Sequence, residues 1–121
     1  MKIEDIKFKA KKLNSCEWVE GDLVHLGNRV CIGLDHLKDG IADVDPSTVC
    51  QYTGLKDCEG NEIWEGDIVE REIYDLFKGS AKVKAVIEYM DGAFVAITDG
   101  IPYSLYFKYI TVIGNKFDKD E

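Results

Sequence analysis

Hydrophobic and polar residues alternate with a period of two through much of the chain, which is the pattern of half-buried β-strands. In residues 6–10, Ile6, Phe8 and Ala10 share one face while lysines occupy the other. The same alternation returns in residues 81–89, where small and branched apolar residues alternate with charged ones. Short runs of this kind, separated by turn residues, predict a mostly β protein.

The densest turn and strand signals fall in residues 51–69, which read QYTGLKDCEGNEIWEGDIV. A turn is predicted at residues 52–55, a tight polar reversal at 57–61, and a second turn at 65–67 before a β-branched strand. The short apolar step between the last two turns predicts a largely buried tryptophan. The turn and core residues expected to fix the register of a small β-barrel are Gly54, Gly60, Trp64, Gly66 and Asp67.

The chain shows a weak internal sequence similarity around two Gly-Asp pairs, Gly21-Asp22 and Gly66-Asp67, which lie 45 positions apart. Each pair is predicted to make a turn that feeds an apolar strand, either through duplication or through the same turn chemistry arising twice. Further turns are predicted as hairpins at residues 26–30 and at Asp91-Gly92, and as a loop at 98–102.

The order of elements after Val69 predicts the fold of the C-terminal part. A strand or long excursion to Phe77 is followed by a turn, an alternating strand, a hairpin, a short helical turn at 105–109 and a last strand at 110–113. This order is typical of an SH3-like β-barrel. The sequence therefore predicts a small N-terminal β-subdomain with an acidic connector (1–45), an SH3-like barrel (46–115) and a frayed tail (116–121), or alternatively one compact unit.

Four segments resemble the YopX family of small bacteriophage and prophage proteins. They are the opening IKFKA at residue 6, VDPSTV at residue 44, the stretch from YTGLKD to GNEIWEGDIV, and the closing ITVIGN at residue 110. Cys50 and Cys58 depart from the family pattern, in which glycine and a polar residue are more usual. The resemblance implies a phage or prophage origin and a YopX-like fold, and the family has no assigned reaction.

The net charge of the chain and its distribution limit the classes of molecule that the protein is expected to bind. The 121-residue chain is 45% hydrophobic and carries a net charge of −8, which argues against a general nucleic-acid or anionic-membrane binder. The first twelve residues are the exception, with a net charge of +3. Lys7, Lys9 and Lys11 are predicted either to protect an exposed sheet edge, the favoured interpretation, or to contact an acidic partner. No apolar run approaches the length of a membrane span.

The cysteine and aspartate residues give little indication of a metal-binding site. The four cysteines lie 15, 19 and 8 positions apart without a C-x-x-C, so free thiols in a reducing cytoplasm are expected rather than a zinc site. Cys50 and Cys58 flank the central reversal, and separate thiols are favoured over a bond. The aspartates at 35, 39, 43 and 45 do not match a calcium loop. No metal and no cofactor is expected.

Candidate catalytic residues are equally sparse. His25 and His36 lie in different segments, and no nucleophile, base and orienting group can be combined with them. Glu65 and Asp67 form a possible carboxylate pair, but an aspartate after glycine at a strand entry usually accepts backbone N–H bonds. The sequence therefore predicts a protein that is not an enzyme.

An aromatic cluster near the C-terminus is the other candidate partner surface. It either seals the open end of the barrel, which is favoured, or stacks bases or anchors a peptide. The leading function is a phage or prophage accessory protein of the host cytoplasm that contacts a phage or host protein. The alternative is a nucleic-acid-associated barrel or an acidic nucleic-acid mimic. A homo-oligomer is also expected, because small β units leave strand edges open. The aromatic cluster near the C-terminus, named above as a candidate partner surface, consists of Tyr103, Tyr106, Phe107 and Tyr109.

Overall fold

The structure is a computed structural model that describes residues 2–34, 40–77, 79–105 and 110–118, without the side chains of residues 73–75. These ranges confirm a mostly β fold, with two antiparallel sheets and two short 3₁₀ helices, Ile3–Asp5 and Pro46–Thr48. The strands are β1 (Phe8–Lys11), β2 (Trp18–Leu26), β3 (Arg29–Gly33), β4 (Ile41–Asp43), β5 (Cys50–Lys56), β6 (Glu62–Trp64), β7 (Asp67–Asp75), β8 (Gly79–Met90), β9 (Ala93–Thr98), β10 (Ile101–Ser104) and β11 (Ile110–Asn115).

The chain divides into two compact units, Met1–Gly54 and Leu55–Glu121. The sequence placed the change at residue 46 instead. The difference arises in β5, whose residues Cys50 and Gln51 pair with Lys9 and Phe8 of β1. This long-range pairing assigns the first part of β5 to the first unit.

The first unit is built on antiparallel strands in the order β4-β3-β2-β1-β5, and β6 follows β5 in the same sheet. Its core contains Ala10, Ile32, Leu34 and Val44, against which apolar residues of the neighbouring strands pack. Because β1 pairs with both β2 and β5, it is not an edge strand, and the prediction that its lysines protect an edge is wrong.

Gly21 lies in the middle of β2, where it pairs with Phe8, so the predicted turn at Gly21-Asp22 is also wrong. A Cβ on Gly21 would overlap the carbonyl oxygen of Gly33 on β3. The glycine is required by the close approach of two backbones, which residues near it in sequence do not indicate.

The second unit contains a five-stranded sheet in the order β10-β9-β8-β7-β11, in which the last strand pairs with β7. Its core contains Ile63 and the inward-facing residues of four strands, Val69, Ala85, Ile87, Ala96 and Ile110. The strand pairings of the described residues do not close this sheet, so the SH3-like barrel expected over residues 46–115 is not confirmed.

Local turn chemistry was predicted well where two-residue hairpin turns occur. The hairpins at Gly27-Asn28 and Asp91-Gly92 are confirmed. Residues 98–102 are not a loop, because Asp99 (φ 52°) and Gly100 (φ 77°) form another two-residue turn and β10 begins at Ile101. The turn predicted at 52–55 lies within β5.

The predicted ends of the chain are only partly covered by the structure. Of the predicted helical turn, residues 106–109 lie outside the described residues. The tail does not fray at residue 116, because the Lys116 ammonium lies 3.0 Å from Glu88 Oε1 and Phe117 N donates to Asn115 Oδ1. Residues 119–121 lie outside the described residues.

Candidate functional site

The polar reversal at residues 57–61 is organised by the carboxylate of Asp57. Its oxygens accept hydrogen bonds from Glu59 N, from Asn61 N and Nδ2, and from Val112 N on β11, at 2.8–3.2 Å. Cys58 N donates a hydrogen bond to Ile110 O, so the same reversal also provides a hydrogen-bond partner for the main chain at the outer edge of β11. Burial raises the pKa of Asp57, but these hydrogen bonds outweigh it, and the pKa lies below its ordinary value.

The second turn holds Trp64 and Asp67. Trp64 is 5% exposed, and its backbone N–H donates to Asp67 Oδ2 at 2.7 Å. Asn115 Nδ2 donates to the other oxygen of this carboxylate, Asp67 Oδ1, at 3.0 Å. The predictions that Trp64 is largely buried and that Asp67 accepts a backbone N–H are confirmed. Asp67 is 2% exposed, so its carboxylate serves the turn and does not face water beside Glu65. Gly60 and Gly66 take positive φ in these two turns.

Lys7, Lys9 and Lys11 lie on one face of β1, each with its ammonium over an aromatic ring. Lys9 and Lys11 lie 4.8 and 5.4 Å from the ring centre of Trp18, and Lys7 lies 4.9 Å from that of Tyr52. We call these five residues the lysine–aromatic face. Its aromatic members come from β2 and β5, and the sequence analysis did not group them with the lysines.

The charge of the lysine–aromatic face is partly compensated by its surroundings. Lys7 Nζ lies 3.3 Å from Glu20 Oε1, and Glu20 is the cross-strand neighbour of Lys9. The three lysines are half-buried, and ammonium groups over ring faces are attracted by the ring quadrupole. Together these contacts stabilise this face of the sheet.

Of the predicted aromatic cluster, the structure places Tyr103, while Tyr106, Phe107 and Tyr109 lie outside the described residues. The Arg71 guanidinium lies 3.8 Å from the ring centre of Tyr103, and Arg71 is only 6% exposed. Tyr103 is on β10 and Arg71 on β7, which are separated by two strands in the sheet order. This contact joins distant strands of the second unit, and no sequence pattern predicted it.

The hairpin of β7 and β8 extends beyond the rest of its sheet. The pairing of β7 with β11 ends at Arg71, and the pairing of β8 with β9 begins at Val86, whereas β7 and β8 stay paired out to Asp75 and Gly79. Among the described residues, 72–75 and 79–82 therefore pair only with each other. We call residues 72–82 the arm.

The end of the arm is apolar and exposed. Leu76 and Phe77 follow β7 in the connection between Asp75 and Gly79, and they are 83% and 96% exposed, respectively. Hairpin turns are usually rich in glycine, asparagine and aspartate. The sequence pattern placed these residues in a strand or excursion with the turn after Phe77, because apolar residues at this position give no turn signal.

The thiols and histidines do not assemble into a reactive group among the described residues. Cys31 and Cys50 are buried and Cys16 and Cys58 exposed, all without a disulfide. Burial, with a hydrogen bond to Asp43, raises the pKa of the Cys31 thiol. His25 is exposed on β2, and His36 lies outside the described ranges.

Two further features are absent from the residues that the structure describes. No group of three or more His, Cys, Asp or Glu side chains is placed to hold a metal ion. No helix there is both long and apolar enough to cross a membrane.

No curated protein sequence matches the chain. The family model described as YopX protein matches residues 3–121, which is nearly the whole chain. The match agrees with the four segments that resemble this family, and the chain belongs to the YopX family.

Proposed function

We propose that this protein is a non-enzymatic accessory protein of a bacteriophage or prophage, and that it acts in the host cytoplasm by docking onto another phage or host protein. The observation that carries the proposal is the arm, whose tip exposes Leu76 and Phe77 almost completely. Large apolar side chains at the end of a projecting element are typical of a contact that is completed by a partner.

The energy available at the tip supports a contact with a protein. Fully burying a leucine or phenylalanine side chain is worth about 1.5–3 kcal/mol each. Two such residues together supply affinity for a partner. A two-stranded ribbon is marginally stable by itself, so packing against a partner also stabilises the arm.

A nucleic-acid partner is supported less well. The chain carries a net charge of −8, and the lysines of the lysine–aromatic face already lie over Trp18 and Tyr52 beside Glu20. A phosphate chain would have to displace these contacts and overcome the repulsion of the remaining acidic residues.

We further infer that the second unit is an SH3-like barrel. Its strand order places the last strand beside the first and the other three in sequence after it, which is the order of that fold. Strands β7 and β10 are three spacings of 4.7–4.9 Å apart along the sheet, or about 14 Å. The Arg71–Tyr103 contact at 3.8 Å favours a sheet that curls strongly enough to bring their inner faces together.

The proposal is tested by affinity capture from infected or induced host cells, comparing the wild type with the double variant L76S/F77S. The matched control is I3S/I101S, which removes two other exposed apolar residues (84% and 53% exposed). We expect a specific protein to be captured by the wild type and the control and lost with L76S/F77S, in nuclease-treated extracts and with unchanged melting temperatures. Capture that survives L76S/F77S, or that disappears with nuclease, contradicts the proposal.

A further inference from the structure

The outer face of the five-stranded sheet carries a row of apolar residues that crosses four strands. Val69, Ala85 and Ala96 face the core of the second unit, so their neighbours in β7, β8 and β9 point to the opposite side of the sheet. The strand register aligns one such outer residue from each of β7, β8, β9 and β10. This row, which we call the outer stripe, consists of Ile68, Val86, Ile97 and Pro102.

The outer stripe is accessible to a partner. Its members on β7, β8 and β9 are half-buried, and Pro102 is exposed. Between β7 and β10 the stripe spans three strand spacings, or about 14 Å. An apolar row of this width on a sheet face gains free energy when a second apolar surface covers it.

Two charged residues flank the stripe on one side. Glu70 of β7 pairs with Lys84 of β8, two residues before Val86 in the strand. Two residues correspond to about 7 Å along a strand, so these charges border the stripe directly. On this side the charge is therefore negative on β7 and positive on β8.

On the other side of the stripe the signs are reversed. Glu88 lies two residues beyond Val86 in β8, and Lys116 Nζ lies 3.0 Å from Glu88 Oε1. Lys116 N donates to Gly66 O, and Gly66 N donates to Ile87 O, so Gly66 holds the β7 position of this row. Because glycine has no side chain, the lysine side chain crosses that position to reach Glu88. Here the charge is positive over β7 and negative on β8.

A two-fold axis that runs along the outer stripe brings the two charged rows together with opposite signs. Such an axis stacks the sheets of two copies face to face with their strands reversed, so each flanking row faces the other flanking row of the second copy. Lys84 then faces Glu88 of the second copy. Glu70 faces Lys116 of the second copy, and the symmetry repeats both contacts.

The charge balance of this face favours a second copy over a strongly charged partner. The two flanking rows hold two acidic and two basic residues, so the face is neutral although the chain carries a net charge of −8. Two copies can therefore meet here with little of the repulsion that their net charge imposes elsewhere. The apolar stripe supplies affinity, and the alternating charges fix the orientation.

We propose that the outer stripe binds the outer stripe of a second copy of this chain, which makes a symmetric dimer through the sheet face of the second unit. The proposal goes beyond the proposed function and does not depend on it. Because the strands of the two copies run in opposite directions, the two arms project from opposite ends of the contact and stay available for docking.

Light scattering over a concentration series tests the contact, using the full chain. The wild type should rise from 13.7 kDa toward twice that mass as concentration increases. V86T/I97T removes apolar groups from the stripe but keeps β-branched side chains that suit a strand, so it should stay at 13.7 kDa over the same range with an unchanged melting temperature.

Charge reversals test the orientation. K84E and E88K should each weaken association at least about tenfold, because each places two like-charge contacts in the symmetric dimer. K82E is the matched control. Lys82 also has an acidic cross-strand neighbour, Glu72, but it would face the uncharged Met90 of the second copy. K82E should therefore change association by less than about threefold.

Mixing the two charge-reversal variants is the decisive measurement. In a dimer of one K84E copy and one E88K copy, both contacts again join opposite charges, so association should return to within about threefold of the wild type. A misfolded variant would not be rescued in this way. A single 13.7 kDa species for the wild type, association unaffected by V86T/I97T, an effect of K82E as large as that of K84E, or no rescue on mixing overturns the inference.

Discussion

Replacing Gly21 by alanine tests how closely β2 and β3 pack in the first unit. A Cβ at this position would overlap the carbonyl oxygen of Gly33, and a methyl group of Ile32 lies 3.2 Å away. The overlapping atom belongs to the backbone of a paired strand, so it cannot move away as a flexible side chain would. We therefore expect β2 and β3 to be pushed apart where Asp22 pairs with Gly33.

The magnitude follows from the cost of overpacking, which is typically about 1–3 kcal/mol and more where backbone must shift. A unit of 54 residues has a free energy of unfolding of about 3–8 kcal/mol. The substitution should remove about 2–3 kcal/mol of it. For a unit of this size, that loss lowers the melting temperature by about 10–20 °C.

Gly33→Ala is the matched control, because it lies on the strand facing Gly21. A Cβ there would meet its nearest atoms at 3.7–3.8 Å, which is ordinary van der Waals contact. Gly33 is the last residue of β3, and replacing a glycine whose backbone conformation suits alanine should be neutral or stabilising by up to about 1 kcal/mol. Thermal and urea unfolding should therefore give changes of opposite sign or very different size for the two variants. Equal effects, or a Gly21→Ala protein as stable as the wild type, would refute the argument.

Four further expectations concern the core, the central reversal, the thiols and nucleic acids. Trp64→Ala should destabilise the protein by about 3–5 kcal/mol in chemical unfolding because the ring is buried. An unchanged denaturant midpoint would indicate instead that the ring lies on the surface. Asp57 has a lowered pKa, so its stabilising contribution is present above the unfolded value of about 3.9 and is lost as pH falls through the folded pKa. The stability difference between wild type and Asp57→Asn should shrink correspondingly in acid, and a pH-independent difference would contradict this. A thiol reagent should label all four cysteines under denaturing, non-reducing conditions, but in the native state should label Cys16 and Cys58 well before Cys31 and Cys50. Binding to DNA or RNA should be weak or absent near physiological salt, and a sub-micromolar affinity that falls steeply with salt would overturn the proposed function.

Elements whose cause is local were predictable from the sequence. The Asp91-Gly92 turn needs two residues that tolerate positive φ, and Asp67 needs only its position at a strand entry. The alternation around Ala85 and Ile87 identified the buried face of β8 because a strand has a fixed period of two. In these cases the residues that determine the structure lie within a few positions of one another.

The features that the sequence did not predict depend on strand pairing between distant segments. Lys7, Lys9 and Lys11 have the pattern of a protected edge, but β1 became central when β5 paired with it from about 40 residues later in the chain. Gly21 had the composition of a turn, and its real constraint is Gly33 across the sheet. Such pairing decides which face and which edge a residue occupies, and periodicity alone carries no information about it.

The residues of the candidate site also divide into those that the sequence predicted and those that depend on pairing between distant strands. The lysines were identified from the sequence, while their aromatic neighbours come from β2 and β5 and were not grouped with them. The turn was predicted after Phe77 because Leu76 and Phe77 lack turn propensity, whereas Asp75 already pairs with Gly79.

Site-specific photo-crosslinking tests the central claim, that the tip of the arm docks onto another protein, most directly. A photoreactive phenylalanine analogue is placed at residue 77 and, as the control, at Ile3, which is 84% exposed. After irradiation of infected or induced host cells, we expect discrete protein adducts from position 77 that are absent from position 3. No adduct from position 77, or the same adducts from both positions, would contradict the account.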